Sequence, residues 1–335
     1  MKAWVLRRQL PIAQYPLELI DIPRPEPGRG EVRLRVLSSG ICRTDLHLAE
    51  GDLPTGKDDL ILGHEVVGEV DAVGEGVSDA RLGEKAGITW LAGSCGECRF
   101  CREERENYCQ GFEATGRDVD GGFAEYAVAR GDAVFSLEGI SLPDEELAPL
   151  LCAGVAGFCA FRLLNVREGD AIGLYGFGPT AYYVLRVAER LGHPVFVSSR
   201  SESNLRRARD YGAVWAGNAA EEKIPEMLDA AIVFPPAGPL VELALQRVRI
   251  GGVVVLAPVA MSTIEIRDYS THLWGRDLRT LYNVNRRDAK DFLGLAKEME
   301  LGLEVDVFSF PDLQEGMIQV REGRIRHSNA VVRME

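Results

Sequence analysis

No uncharged stretch of this chain is long enough to cross a bilayer. Leu147 to Phe161, among the longest, falls short of the ~20 residues a spanning helix needs. The first residues carry no signal-peptide pattern: Met1 to Leu10 is strand-like with early charges, and Pro11 interrupts any apolar run. Basic residues are outnumbered, 38 against 51 acidic, and a net charge of -13 argues against a surface built for nucleic acid or anionic membrane. Internal repeats, low-complexity tracts and compositional signs of disorder are missing too. Histidine is scarce at five residues, and three of them, His193, His272 and His327, lack ligand-type neighbours and read as structural or surface side chains. These exclusions leave a soluble, cytoplasmic protein whose 335 residues suffice for about two domains.

What is present is cysteine, seven in all, and in such a chain cysteines point to metal ligands rather than disulfides. Cys95, Cys98 and Cys101 follow one another at two-residue spacings, and Cys109 comes one longer step on. Four thiolates in this pattern can surround one tetrahedral zinc, and a closed four-cysteine site leaves no open position, so it is structural. The loop around it holds Arg99, Arg102, Glu103, Glu104, Arg105 and Glu106, too polar to order itself by burial, so a metal supplies the order.

A second grouping is Gly40-Ile41-Cys42-Arg43-Thr44-Asp45-Leu46-His47, read with Gly63-His64-Glu65. Cys42 and His64 are ligands of the kind zinc prefers, but a catalytic zinc needs three protein ligands and an open position. Cys152 is the best candidate for the third. Asp45 can orient His64 through the second ring nitrogen, and Thr44 can hand a proton from substrate towards solvent. Cys159 reads as a small buried hydrophobe.

Residues 1 to about 150 are β-rich by pattern. Leu17 to Ile22 and Glu31 to Leu37 alternate as half-buried strands do, Pro23 to Gly28 is a turn-rich connection, and Glu65 to Val73 is a further strand. Many short strands with glycine turns suggest a barrel-like fold. From about residue 153 strands and helices alternate. Asp170 to Tyr175 is an apolar strand, Gly176-Phe177-Gly178-Pro179-Thr180-Ala181 follows, and a helical pattern runs through Val184, Leu185, Ala188 and Leu191 to Gly192. This is the dinucleotide fingerprint in its strand-turn-helix setting, with Gly176 for the turn, Gly178 for approach of the pyrophosphate and Ala181 in place of the third glycine. Pro194 to Ser198, Ala230 to Phe234 and Gly252 to Ala257 are further strands of a doubly wound sheet. After Asn285 the sequence predicts a helix over Asp288 to Leu301, strands over Leu303 to Phe308 and Ala330 to Met334, and a short helix over Asp312 to Glu322.

On these motifs the chain resembles the zinc-containing alcohol dehydrogenases of the medium-chain dehydrogenase/reductase superfamily, over essentially its full length. The resemblance implies an α/β protein with a GroES-like β-rich catalytic domain from residues 1–152 and 286–335, and a doubly wound Rossmann coenzyme-binding domain at 153–285. It implies two zinc ions per chain: a catalytic one on Cys42, His64 and Cys152, and a structural one on Cys95, Cys98, Cys101 and Cys109. Related polyol and threonine dehydrogenases commonly carry Glu where Cys152 stands, so Cys152 favours the alcohol dehydrogenase branch. The implied reaction is reversible hydride transfer between a small to medium primary alcohol or its aldehyde and a nicotinamide cofactor. Thr44 takes the alcohol proton and passes it through a cofactor ribose hydroxyl towards His47, whose imidazole type suits proton exchange near neutral pH. Asp45 and Glu65 stand beside the metal, Glu65 tuning it or ligating it transiently. Arg43 and Arg286 are implied coenzyme contacts, and a homo-oligomer is the implied assembly, a dimer or tetramer. Trp90, in Thr-Trp-Leu-Ala-Gly-Ser-Cys, lines the substrate pocket or packs the zinc lobe, and the sequence leaves these two roles equal.

One feature departs from the NAD-using majority. The acid expected at the end of the second Rossmann strand is absent, and counting back from Tyr211-Gly212-Ala213 places Ser199 at its site, followed by Arg200. Serine donates to a phosphate oxygen and arginine matches its charge, so the expectation is NADP(H) over NAD(H). Two rival readings are weighed. A zinc-free quinone or enone reductase of the same superfamily needs none of Cys42, His64 and Cys152, and a zinc-stabilised binding module for nucleic acid sits badly with the acidic balance.

Overall fold

The computed structural model describes residues 1–334. The chain divides into two compact units, one made of Met1–Val155 together with the chain from Asn283 onward, the other of Ala156–Tyr282.

In the first unit the alternating segment at Glu31 forms the strand Glu31–Ile41, sending Val32, Leu34 and Val36 into a core with Val66, Val70, Ala86 and Ile88. The strand continues past Leu37, where the alternation stops at Ser38-Ser39-Gly40. Pairing on both sides overrides that local signal. Ser38 and Ser39 lie opposite Val67 and Val66 of the strand Val66–Val73, and Ser38 to Ile41 run antiparallel to Ala330–Arg333 at the end of the chain. A second cluster gathers Trp4, Leu6, Leu46, Leu48, Leu60, Phe123, Leu313 and Met317, closing a small sheet of Leu17–Asp21, Lys2–Leu6 and Leu60–Ile61 over the helices Arg43–Glu50 and Leu313–Glu322. The buried indole of Trp4 donates to the Phe310 carbonyl at 2.8 Å, so the polar handle of that large side chain is satisfied.

The second unit is a six-stranded parallel sheet in the order Trp215–Gly217, Val195–Ser198, Ile172–Tyr175, Leu228–Val233, Val248–Leu256, Asp277–Thr280. Its middle strands are apolar apart from Ser198 and Asp229 at their ends, because both faces are covered. The strand order reverses at Ile172–Tyr175, which places the glycine turn after Tyr175 at the switch point where such sheets bind nucleotides. The following helix, Pro179–Arg190, opens with proline at its first position and gives way to Gly192 at φ +81°.

Two expected elements differ in extent. The helix expected over Asp288 to Leu301 is Arg286–Ala296. It starts earlier because Asn285 caps it, the Asn285 side chain accepting the Asp288 N–H at 2.8 Å. It stops earlier because Leu301 and Leu303 are buried in chain outside any helix or strand, at an apolar spacing that imitates a further helical turn. The strand expected over Leu303 to Phe308 is Asp306–Ser309, placed by its parallel pairing with Ala330–Arg333. Helical turns also run over the 21 residues Asp144–Leu164, which include an 18-residue window of mean hydropathy 1.9 that by length and composition alone would suit a membrane, yet 72% of that window is buried within the fold.

Candidate metal centre and nucleotide turn

The strand Glu31–Ile41 delivers Cys42 to the N-cap of the helix Arg43–Glu50, and Asp45 is the third residue of that helix. The two form a capping box in which the Asp45 carboxylate accepts the Cys42 N–H at 2.9 Å. The same carboxylate, wholly buried, accepts the Gly63 N–H at 3.2 Å and lies 3.1 Å from His64 Nδ1. One side chain therefore sets the start of the helix, the turn before His64 and the ring orientation. With Nδ1 committed to Asp45, Nε2 is the nitrogen left to face a ligand. Gly63 has φ +95°, and a Cβ there would meet the Phe123 ring at 2.7 Å, so the approach to His64 demands glycine.

Cys152 sits at the break between two helical stretches, Ala148–Leu151 and Ala153–Leu164, with its Sγ 4.0 Å from Cys42 Sγ. Ligand atoms of Cys42, His64, Glu65 and Cys152 all lie within 4.8 Å of one another. A hydrogen bond from Cys152, aided by His64, holds the Cys42 thiol far below its ordinary range, while the same bond and burial push the Cys152 thiol up. Burial alone would lower the His64 imidazole, but Asp45 overrides it and the net shift is upward. Burial raises the Glu65 carboxyl, and the Cys42 charge adds to the rise. These groups crowd their negative charge into one buried place, and a cation there would relieve all of them together. Two thiolates and an imidazole, with a carboxylate in reach, are the donor set of a zinc-type ion with a position to spare. Room for the carboxylate comes from Gly40, where a Cβ would run into the Glu65 side chain.

Thr44 lies in the first helical turn, half-buried, with its hydroxyl 3.8 Å from Cys42 Sγ. His47 is exposed one turn further along the same face and pairs through Nδ1 with Asp52 Oδ2 at 2.8 Å. Arg43 is exposed. Trp90 places its ring edge-on to His64, centroids 5.2 Å apart, and donates its indole N–H to Asn283.

The other four cysteines also converge, their sulfurs within 4.8 Å of one another. Gly96 at φ +75° turns the chain after Cys95. Backbone N–H groups of Glu97 and Cys98 hold the Cys95 thiol down to about 6, favouring the thiolate a metal requires. Arg286 ties this lobe down: its side chain reaches Glu106, Asp132 and Ser94, and its backbone N–H donates to Glu106 at 2.7 Å. One fifth of the Arg286 side chain stays exposed, at 20%.

In the second unit Gly176 has φ +88° and a Cβ there would strike Pro235, whereas a Cβ on Gly178 would meet nothing within 4 Å. Gly178 caps the helix Pro179–Arg190, so the space beside it, in front of the free N–H groups of the first turn, is open to an anion. Ala181 is buried under that turn. Ser199 follows the strand Val195–Ser198, and its hydroxyl accepts the Ser201 N–H at 3.2 Å. Arg200 is exposed and makes no ion pair among the described residues, while Glu202 is 3.5 Å from Arg209.

Residues 28–139 match the family model for the alcohol dehydrogenase GroES-like domain. A protein named as a probable alcohol dehydrogenase, AdhA, of Mycobacterium tuberculosis is 37% identical over 331 residues, 97% of this chain and 95% of the relative. The chain belongs to the alcohol dehydrogenases of the medium-chain dehydrogenase/reductase superfamily. The crystal structure of an NAD-dependent alcohol dehydrogenase covers 100% of both chains at TM-score 0.89 and 23% identity. A cobalt- and zinc-bound thermostable alcohol dehydrogenase from Pyrobaculum aerophilum covers 99% of both at TM-score 0.87 and 22% identity. At those identities both speak for the shared fold. As an alcohol dehydrogenase the protein is an oxidoreductase acting on small-molecule alcohols. In this alcohol dehydrogenase the contacts that sequence reading missed are Asp52 behind His47, Gly40 beneath Glu65 and Asn283 on Trp90. None of the three left a local signal, since the β alternation ends at Leu37, before Gly40.

Proposed function

We propose that this alcohol dehydrogenase is zinc-dependent, carries two zinc ions per chain, and moves hydride reversibly between a small to medium primary alcohol or its aldehyde and NADP(H). The observation that carries this reading is the meeting of Cys42, His64 and Cys152 around one buried point, with Asp45 behind His64. Zinc held there supplies Lewis acidity to the alcohol oxygen, and the nicotinamide supplies the hydride acceptor. Cys42 and Cys152 fix the position of the ion and Asp45 fixes the plane of His64. Glu65, close enough to join them, adjusts the charge on the set. Thr44 takes the hydroxyl proton, and His47, steadied by Asp52, returns it to solvent. Cys95, Cys98, Cys101 and Cys109 hold the second ion, which stabilises the lobe.

Gly176, Gly178 and Ala181 are assigned to the dinucleotide pyrophosphate, and Ser199 and Arg200 to a 2′-phosphate. Arg43 and the exposed part of Arg286 are assigned to the coenzyme as well. A structural neighbour named as NAD-dependent does not weigh against NADP(H), since 23% identity carries only the fold. A homo-oligomer is supported by the second unit: Asp277–Thr280 is an edge strand, with Leu278, Trp274, Ile250 and Tyr282 exposed on that unit. A cytoplasmic location suits seven free thiols.

The experiment is a panel of alcohols and aldehydes assayed with NADP(H) and NAD(H), beside metal analysis of the purified protein. Turnover of primary alcohols with two zinc ions per chain is expected. An enzyme fully active without metal would overturn the reading.

A further inference from the structure

Trp90 is the only large ring seen edge-on to His64, with its plane turned 81° from the imidazole among the described residues. Its indole N–H donates to Asn283 Oδ1 at 3.1 Å, and no other acceptor for that N–H is found among the described residues. The Asn283 amide in turn donates to the Asn107 carbonyl at 3.4 Å. Asn107 is buried within the four-cysteine lobe, two residues before Cys109. Three residues after Asn283, Arg286 is held to the same lobe by Glu106. Asn283 has φ +53°, a left-handed conformation that asparagine, aspartate and glycine tolerate and other residues resist.

We infer that Asn283 is a specificity-determining positioning residue: it locks the Trp90 ring beside His64 and anchors that ring to the four-cysteine lobe. The inference rests on the reading of Cys42, His64 and Cys152 as the catalytic metal centre. An indole without its acceptor is free to swing about its side-chain torsions, because the edge contact with His64 fixes distance but not rotation. A part-buried N–H left without a partner also favours rotamers that reach water. The wall next to the reacting oxygen is then as rigid as the amide that holds it, and the four-cysteine lobe, reached through the distant Asn283, takes part in setting substrate size.

The test is the ratio of kcat/KM for long over short straight-chain primary alcohols, with metal content measured on the same samples. Asn283→Gly keeps the left-handed backbone and removes both hydrogen bonds, and it should raise the ratio about fivefold, within the range for residues coupled in one network. Trp90→Phe, which removes the N–H and keeps a ring, should move the ratio in the same direction. In the double variant Asn283→Gly should add nothing further. Asn283→Asp keeps the acceptor for the indole but loses the donor to the Asn107 carbonyl, so it should shift the ratio by only about twofold, short of the glycine variant, a partial rescue that general loosening would not produce. An unchanged ratio in Asn283→Gly overturns the inference, as do additive effects in the double variant or an Asn283→Asp shift as large as that of glycine. Should Asn283→Gly fail to fold, Trp90→Phe decides alone, an unchanged ratio overturning the inference. The metal reading fails separately, by turnover in enzyme stripped of metal, whereas this inference fails by a fixed profile in enzyme that retains it.

Discussion

Asp45 Oδ1 lies 3.1 Å from His64 Nδ1, while Oδ2 of the same carboxylate accepts the Cys42 N–H at 2.9 Å. One buried acid therefore aligns Cys42, at the start of its own helix, with His64, after the Gly63 turn. Asp45→Asn keeps the size of the side chain but puts an amide donor where a donor must be accepted. We expect metal affinity at the Cys42 site to fall by about 10–100-fold, as loss of an orienting carboxylate does. Competition with a chromophoric chelator measures it. Unaltered affinity would reduce Asp45 to a helix cap.

The two cysteine groups predict separable metals. Cys42→Ala should keep the fold and one zinc, and lose at least about a thousandfold in turnover, since Lewis-acid stabilisation is worth several kcal/mol. Cys98→Ala should lower the unfolding temperature, because the charged loop Arg99 to Glu106 has little else to order it. Zinc counting beside thermal unfolding separates the two. A fully active Cys42→Ala enzyme would remove the catalytic assignment.

Thr44→Val preserves shape and deletes the hydroxyl next to Cys42. Turnover should drop about 100-fold or more, the usual worth of a placed proton acceptor, with zinc and coenzyme still bound. His47→Gln should cost under about tenfold, because water reaches the exposed end of the relay. Steady-state rates with binding titrations check both, and a Thr44→Val enzyme within a few fold of the parent ends the relay proposal.

Legibility in the sequence followed the range of the interactions. The nucleotide turn was readable because strand, Gly176, Gly178 and helix are consecutive, so local pattern and tertiary role coincide. The strand Glu31–Ile41 was readable only to Leu37, since its last residues are strand by virtue of Val66, Val67 and the distant Ala330–Arg333. Ligand types were visible at Cys42, His64 and Cys152, yet 110 residues separate the two thiols and spacing of that length carries no geometry. The bond between Trp90 and Asn283, 193 residues apart, had no local signature at all. Tertiary context likewise gave Arg286 its partners Glu106 and Asp132, acids that sequence offers as one pair among dozens.

Coenzyme choice turns on the segment after Val195–Ser198. In a dinucleotide fold an acid about twenty residues past the glycines accepts the ribose hydroxyls and repels a 2′-phosphate. Here that place holds Ser199, and the nearest acid, Glu202, leans towards Arg209. Arg200, exposed and without an ion pair among the described residues, offers a planar fork that matches phosphate oxygens. A charge-assisted contact of this kind is worth about 1.5–3 kcal/mol, so NADP(H) should be preferred by roughly 10–100-fold in kcat/KM. Ser199→Asp combined with Arg200→Ile restores the acid and deletes the cation, and should swing the preference to NAD(H) with alcohol affinity unchanged. Kinetics of parent and double variant with both coenzymes, repeated at raised ionic strength, check the sign and its electrostatic origin, because salt should weaken the NADP(H) arm more than the NAD(H) arm, which shares only the pyrophosphate contacts. A parent enzyme strongly favouring NADH over NADPH would mean that Arg200 is a solvated side chain and that Ser199 leaves the ribose unread.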